Sequence, residues 1–317
     1  MGTANAETAL ASPSAPVDFS AVLSSHPSPS DFADTSAGGI RCAWLADGSK
    51  GKYTRITGGP GVPWLEVQVL PKAADDWTSY TGGDQMGTQE RMVFAGFEGA
   101  HSCGDPSCRV TAPIGSAWVM IMVHDPGLGV GDSLIGTESD IWEKLGPAAA
   151  ALFSILAGAT PSQLAWPAAI GRTASPGVEP CRSFLKASSL AHALGVARVS
   201  DYLAETQGIG AIEEAAERRA GFVRCSVELD SGAREGFVLA LDNASVMDRI
   251  ETSLGTTSAL HADTLVGQVA GEKVVSTGGG TRPDYCDLWF SLGRDAINVS
   301  QSTHAKAIAE VIIAQAR

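Results

Sequence analysis

The densest group of side chains that could do chemistry is the segment His101-Ser102-Cys103-Gly104-Asp105-Pro106-Ser107-Cys108. Zinc sites use thiolate pairs at spacings of this order together with imidazole, and a structural site needs a complete tetrahedral set of ligands. The rest of the chain provides no second Cys/His pair close to this segment. The pattern therefore favours a disulfide-closed loop, or cysteines bonded elsewhere, over a metal site, and we assign no metal ligand.

Ser133 is a second chemical candidate, because Gly131-Asp132-Ser133-Leu134 matches the name-giving block of one esterase/lipase family. In that chemistry the serine needs a histidine base within hydrogen-bond reach and donors for the oxyanion. The base normally comes from a late Asp-x-x-His, which this chain does not contain. We therefore interpret the block as a loop before a helix, and we keep a secreted serine hydrolase as an alternative function.

The cysteine count is even, and such a count suits disulfides in an oxidising compartment. The candidates are Cys42, Cys103, Cys108, Cys181, Cys225 and Cys286. The preferred pairing joins Cys181 to Cys225 and Cys103 to Cys108, which leaves Cys42 and Cys286 over. The rival pairing joins Cys42 to Cys108 and Cys225 to Cys286, and leaves Cys103 and Cys181 to link the halves or stay reduced.

Tryptophans suggest where a ligand could bind, since an indole suits the border between an apolar surface and a polar rim. Most of them are expected to fill the core. Trp77 and Trp166 stand in polar or linker-like surroundings, so we predict that these two and His101 are binding residues.

Composition and charge exclude several classes of protein. The 317 residues are 44% hydrophobic and 18% charged, with a formal net charge of -13. That balance predicts folded cores rather than disorder, and the acidic charge argues against a nucleic-acid partner. No apolar run approaches the roughly 18 residues needed to span a bilayer. The sequence implies no cofactor.

The first 16 residues are rich in Ala, Ser, Thr and Pro, a composition that predicts a flexible tether. Such tethers often separate a membrane anchor from a folded envelope domain. Together with the cysteines, this segment predicts an extracytoplasmic protein, secreted or membrane-anchored, from which a signal sequence or lipid anchor has been removed.

The sequence divides into two related halves, and the strands and helices of these halves must position the candidate residues. The strand-like segments that open at Cys42 and Cys225 are followed by the same succession of elements, leading to Cys108 and Cys286. Segments 64–70 and 119–123 read as strands, and Ile141 begins a helical apolar spacing capped at 137–140 and ended by Gly158. The sequence therefore predicts an α+β fold of two tandem related domains, each an antiparallel sheet with helices packed on it. The expected boundaries are a tether over 1–16, a first repeat over 17–160, a linker over 161–177 and a second repeat over 178–317.

The second half also resembles a known group of proteins. Glu179-Pro180-Cys181-Arg182-Ser183-Phe184-Leu185 and the later Arg224-Cys225-Ser226-Val227 are similar to the pattern of actinobacterial cell-envelope lipoproteins of unknown function, in which the two cysteines are commonly bridged. Those proteins resemble kinase sensor ectodomains and lipoproteins with a PsbP/Mog1-like fold. The resemblance covers about 178–317 and, more weakly, 17–158, and it implies binding of an envelope ligand or protein partner without an active site. The expected function is thus a non-enzymatic binding or sensor module, with the hydrolase and a structural subunit of a surface assembly as alternatives.

Overall fold

The computed structural model describes residues 3–16, 29–46, 63–79, 90–94, 96–104, 106–128, 131, 133, 135–160, 169–174, 177–203, 211–256, 265–269, 272–277 and 286–316. Within these residues two antiparallel sheets and eight α-helices form an α+β structure, and the sheets are consistent with the two predicted domains. The predicted fold class is therefore confirmed. None of the described helices is long and apolar enough to cross a bilayer.

The first sheet has seven strands in the described part of the chain, in the order β1-β2-β3-β7-β6-β5-β4. They are β1 (Ser14–Pro16), β2 (Ile40–Ala46), β3 (Trp64–Leu70), β4 (Glu90–Phe94), β5 (Phe97–Gly104), β6 (Ser107–Ile114) and β7 (Ala117–His124). The two central strands, β3 and β7, are buried along their whole length. This burial matches the nearly continuous apolar sequence of β7, whereas β3 alternates for part of its length and carries Glu66 and Gln68 as buried polar residues.

Two helices cover one face of this sheet, α1 (Thr3–Leu10) and α3 (Glu138–Gly158). The predicted helical spacing is confirmed, since Ile141, Leu145 and Leu152 lie buried on α3. Residues 3–16, for which the composition predicts a tether, instead form α1 and the edge strand β1. Ala6, Ala9 and Leu10 are buried, because small side chains on a helix allow close packing even where large apolar residues are few.

The second sheet has six strands in the described residues, in the order β10-β11-β12-β13-β9-β8. They are β8 (Phe222–Glu228), β9 (Arg234–Ala240), β10 (Leu265–Val269), β11 (Glu272–Thr277), β12 (Cys286–Leu292) and β13 (Asp295–Ser302). The remaining helices are α2 (Pro29–Ser36), α4 (Glu179–Phe184), α5 (Ala187–Leu194), α6 (Ala211–Arg219), α7 (Ser245–Thr256) and α8 (Ala305–Ala316). Helices α5 and α8 pack together against the core of this sheet.

The two sheets repeat one topology. Strands β2 to β7 take the same places in the first sheet as β8 to β13 take in the second, and a long helix follows the last strand in both. The equivalent hairpins β6–β7 and β12–β13 turn at Gly115 (φ 59°) and Gly293 (φ 60°). After β3 and β9, Lys72 and Asp242 adopt positive φ values of 53° and 58° at corresponding positions. Residues other than glycine rarely adopt a positive φ. Its recurrence at corresponding positions of the two sheets indicates a duplicated backbone.

The described structure divides into two compact units that interleave along the chain. The first contains residues 1–24, 38–168 and 207–216, and the second contains 25–37, 169–206 and 217–317. Each unit therefore includes a segment that the chain order would place in the other half. Helix α2, which precedes β2 in the chain, belongs to the second unit.

Candidate functional site

A cavity of about 610 Å³ opens in the first unit. Its lining comes from three chain segments: the end of β5, the loop after β7 and the start of α3. The described lining residues are Cys103, Gly104, Gly127, Leu128, Gly131, Ser133, Gly136, Thr137, Glu138 and Asp140. The structure thus brings the predicted cysteine loop and the predicted serine block to one site, although they lie far apart in sequence.

Asp125 organises the loop that forms one wall. Its carboxylate is fully buried and accepts hydrogen bonds from the backbone N–H of Gly127 (3.1 Å) and Ile135 (2.8 Å), and from the Ser133 hydroxyl (2.7 Å). A buried carboxylate is tolerated only when its oxygens are satisfied in this way. Asp125 therefore fixes the path of the chain between β7 and α3.

The first turn of α3 forms the second wall. Thr137 is the N-cap: its hydroxyl accepts from the Asp140 backbone N–H, and the Asp140 carboxylate accepts in return from the Thr137 backbone N–H at 2.7 Å. This capping box satisfies donors that a helix start leaves without partners. The hydrogen bonds from the Thr137 side chain and backbone hold the pKa of Asp140 below its ordinary value. Gly136 has a φ of 129°, and a Cβ there would meet the Asp140 carboxylate.

A cross-strand disulfide closes the third wall. Cys103 and Cys108 are directly opposite each other on β5 and β6, with their Cα atoms 4.1 Å apart, and they are bonded to each other. The hairpin is tied to the loop by a hydrogen bond from the Asp125 N–H to the Pro106 carbonyl (2.9 Å). Because both thiols are consumed in the disulfide, they are not available as thiolate ligands. The described residues contain no cluster of three or more potential metal ligands.

Ser133 lines the cavity, but its hydroxyl is hydrogen-bonded to other residues of its own loop. Its hydroxyl donates to Asp125 Oδ2 (2.7 Å) and accepts from the Gly136 N–H (2.9 Å). An activated serine donates instead to an imidazole that can take its proton. No histidine is among the described lining residues, so this geometry fixes the loop rather than activating a nucleophile.

His101 lies beside the cavity without lining it. Its ring stands edge-on to Trp142 with centroids 4.7 Å apart, and the Trp142 indole N–H donates to Glu138 Oε1 (3.3 Å). The predicted binding residue therefore reaches the lining residue Glu138 through an intervening indole.

Of the two predicted binding tryptophans, the structure describes Trp77, which does not line this cavity. Trp77 follows the short 3-10 turn Ala74–Asp76, is partly buried and is not among the lining residues. Trp166 lies outside the described residues. Asp125 and the acidic first turn of α3 were not predicted as site residues. The sequence signal for Asp125 is a lone acidic residue directly after the fully buried strand β7, followed by Pro126-Gly127.

The second disulfide lies in the second unit, where Cys181 of α4 is bonded to Cys225 of β8. Both disulfides belong to the preferred pairing. Cys42 is exposed and has no disulfide partner among the described residues. For Cys286 only the backbone is described, as the first residue of β12.

Thr137→Ala is expected to destabilise the first unit by about 1 kcal/mol at neutral pH, because it removes the N-cap of α3. The pKa of Asp140 is lower in the folded chain than its ordinary value of 3.8. The ionised Asp140 carboxylate therefore stabilises the folded first unit above that value, and this stabilisation is lost as the pH falls through the folded pKa. The stability difference between Thr137→Ala and wild type should shrink in acid, as urea denaturation at a series of pH values would measure. Thr252→Ala, an exposed threonine within α7, is the control, and a pH-independent difference for Thr137→Ala would contradict the coupling to Asp140.

Comparison with known proteins gives no relative. No protein-family model, no curated protein and no solved structure matches this chain.

Proposed function

We propose that this protein is a non-enzymatic extracytoplasmic binding or sensor module and that the cavity of the first unit is its ligand site. The carrying observation is the cavity itself. It is formed by the Cys103–Cys108 hairpin and the loop held by Asp125, and that loop spans 125–137 between β7 and α3, whereas only 303–304 separate β13 from α8 in the second repeat. Its volume falls in the range of small-molecule sites, about 300–1,000 Å³.

The two disulfides support the proposed extracytoplasmic location. Two disulfides are consistent with an oxidising compartment, since cytosolic thiols are normally kept reduced. The resemblance of 178–317 to actinobacterial envelope lipoproteins, carried by Pro180-Cys181 and Arg224-Cys225, points the same way. Binding rather than catalysis is supported by Ser133, whose hydroxyl donates to the Asp125 carboxylate and not to an imidazole of the kind that activates the serine in a Ser-His-Asp triad.

The binding function is tested by a small-molecule library screened against the isotope-labelled protein by NMR. Hits are expected to shift the backbone amides of Gly104, Gly127 and Gly136, which line the cavity, and to leave Gly195 and Gly293 of the second unit unchanged. Glu138→Trp should abolish these shifts by filling the cavity mouth. Glu143→Trp, at an exposed position of the same helix outside the lining, should not. Hits that persist in Glu138→Trp would place the ligand elsewhere.

The serine hydrolase alternative has a separate test. A fluorophosphonate probe reports serines activated by a general base. We expect no labelling of Ser133, because Asp125 and Gly136 already occupy its hydroxyl. Labelling that disappears in Ser133→Ala would establish the hydrolase and overturn the binding module.

A further inference from the structure

The described cavity lining carries charge of one sign. Glu138 and Asp140 are acidic, and no Lys, Arg or His is among the described lining residues. The basic side chain on α3, Lys144, does not line the cavity; its ammonium donates to the Ile135 carbonyl, and its charge contributes to lowering the pKa of Asp140. The remaining lining is glycine, hydroxyl, sulfur and the side chain of Leu128, none of which brings positive charge.

Both carboxylates keep one oxygen available. Asp140 Oδ2 accepts from Thr137, and Glu138 Oε1 accepts from Trp142. Within the described part of the chain, no hydrogen bond reaches the second oxygen of either carboxylate. The capping of α3 by Thr137 and Asp140 also satisfies donors that would otherwise attract an anion to the helix start. The hydrogen bonds from Thr137 keep Asp140 ionised down to a pH below its ordinary pKa.

We propose that the ligand of this cavity carries an amino group, present as an ammonium cation, that donates to the Glu138 carboxylate, while the Asp140 carboxylate adds negative charge to the same lining. This inference rests on the proposed binding function and names its ligand class. An ammonium brings hydrogen-bond donors and no acceptor, which matches free carboxylate oxygens. The leucine side chain and the disulfide offer apolar contact to the carbon chain that bears the amine. A lysine side chain of a peptide and a free alkylamine share this chemistry.

The test uses two pairs of probes that differ only in the charged group. One pair is n-butylamine and butan-1-ol. The other is the blocked tripeptide Ala-Lys-Ala and its norleucine counterpart. Each is titrated into the full chain by NMR while the cavity glycines are followed. We expect at least one amine to bind about tenfold more tightly than its neutral partner, the scale of one hydrogen bond to a charged group. Preference for the lysine peptide over butylamine would identify a peptide ligand, and the reverse a small amine.

Variants separate local recognition from the acidity of the whole chain. Glu138→Gln keeps an acceptor for Trp142 but removes the charge, so it should lower amine affinity about threefold or more while leaving the alcohol unchanged. Glu143→Gln makes the same charge change on the same helix outside the lining and should have no such effect. Equal losses in both variants, or equal affinity for amine and neutral partner, would overturn the amine class while leaving the binding function standing. Absence of shifts at the cavity glycines with every probe and throughout the library screen would overturn both.

Discussion

Residues 169–317 expressed alone are expected to show no cooperative unfolding transition, although they include the whole second sheet. The second unit also contains residues 25–37, which this fragment lacks. Phe32 of α2 is fully buried, stands edge-on to Trp289 at 5.7 Å and lies under the Arg249 guanidinium. Truncating such a phenylalanine costs about 3–5 kcal/mol, against a total domain stability of about 5–15 kcal/mol. Losing all of α2 should therefore remove most of the stability.

A polar network depends on the same helix. The buried Glu217 carboxylate forms a two-point ion pair with Arg224 at 2.6 and 3.0 Å, and it also accepts from the Ser30 hydroxyl at 2.8 Å. Removing one partner of a buried ion-pair network leaves charge less well compensated. The fragment without Ser30 is therefore weakened in its polar as well as its apolar packing.

The structure indicates how the folding of the fragment can be restored. The Ile170 N–H donates to the Ser36 carbonyl at 2.6 Å, so the end of segment 25–37 lies next to the start of 169–317. Joining the two through a short Gly/Ser linker should restore a cooperative transition, measured by thermal and urea denaturation followed by circular dichroism. The same fusion carrying Phe32→Ala is the matched control and should restore much less. A fragment 169–317 that folds as well alone as in the fusion would show that α2 contributes little to the second unit.

The two disulfides should contribute unequally to stability. In the chain-entropy model a disulfide stabilises according to the length of loop that it closes. Cys181 and Cys225 are separated by 44 positions and Cys103 and Cys108 by 5, which gives contributions of about 4 and about 2 kcal/mol. We expect the double variant Cys181→Ala/Cys225→Ala to lower the melting temperature of the second unit by roughly 10 °C. The Cys103→Ala/Cys108→Ala variant should have about half that effect, confined to the first unit.

Cys42→Ser serves as the control for this comparison, because Cys42 is exposed and has no described disulfide partner, and it should leave both transitions unchanged. Thermal denaturation of the oxidised proteins, with tryptophan fluorescence as the signal, measures the melting temperatures, and urea denaturation gives the free energies of unfolding. A loss at the short disulfide equal to or larger than that at the long one would mean that local packing, not loop entropy, sets the contributions.

Much of the fold was predictable because its signals are local. The apolar run of β7 and the helical spacing of Ile141, Leu145 and Leu152 on α3 each depend on residues close in sequence, and both elements form where predicted. The duplication was visible as well. The pattern Ala-Gly-x-(Ile/Val)-Arg-Cys occurs at 37–42 and 220–225, and its glycines, Gly38 and Gly221, share positive φ values of 76° and 79°. This pattern extends the repeat upstream of the two cysteines that open the strands.

The site was predictable only in pieces. The cysteine loop and the serine block were identified as unusual, but their meeting at one cavity depends on β6 pairing with β7, which places Pro106 next to Asp125. The role of Ser133 could not be read from its motif, because the partner of its hydroxyl is decided by the path of the loop. The N-terminal segment was mispredicted as a tether because composition measures how many large apolar side chains are available, not how closely small ones pack.

The sequence by itself determined the α+β class, the repeat and the main strands and helices, since periodicity and turn residues act over a few neighbouring positions. Only the tertiary structure decided that α2 belongs with the second sheet, that Asp125 holds Ser133, and that an acidic cavity forms beside the Cys103–Cys108 disulfide. The first and the last of these features arise from contacts between residues distant in the chain, whereas Asp125 and Ser133 lie in one loop and meet only through the path of that loop. Their free energy depends on three-dimensional packing and burial, which no local pattern of residue types encodes.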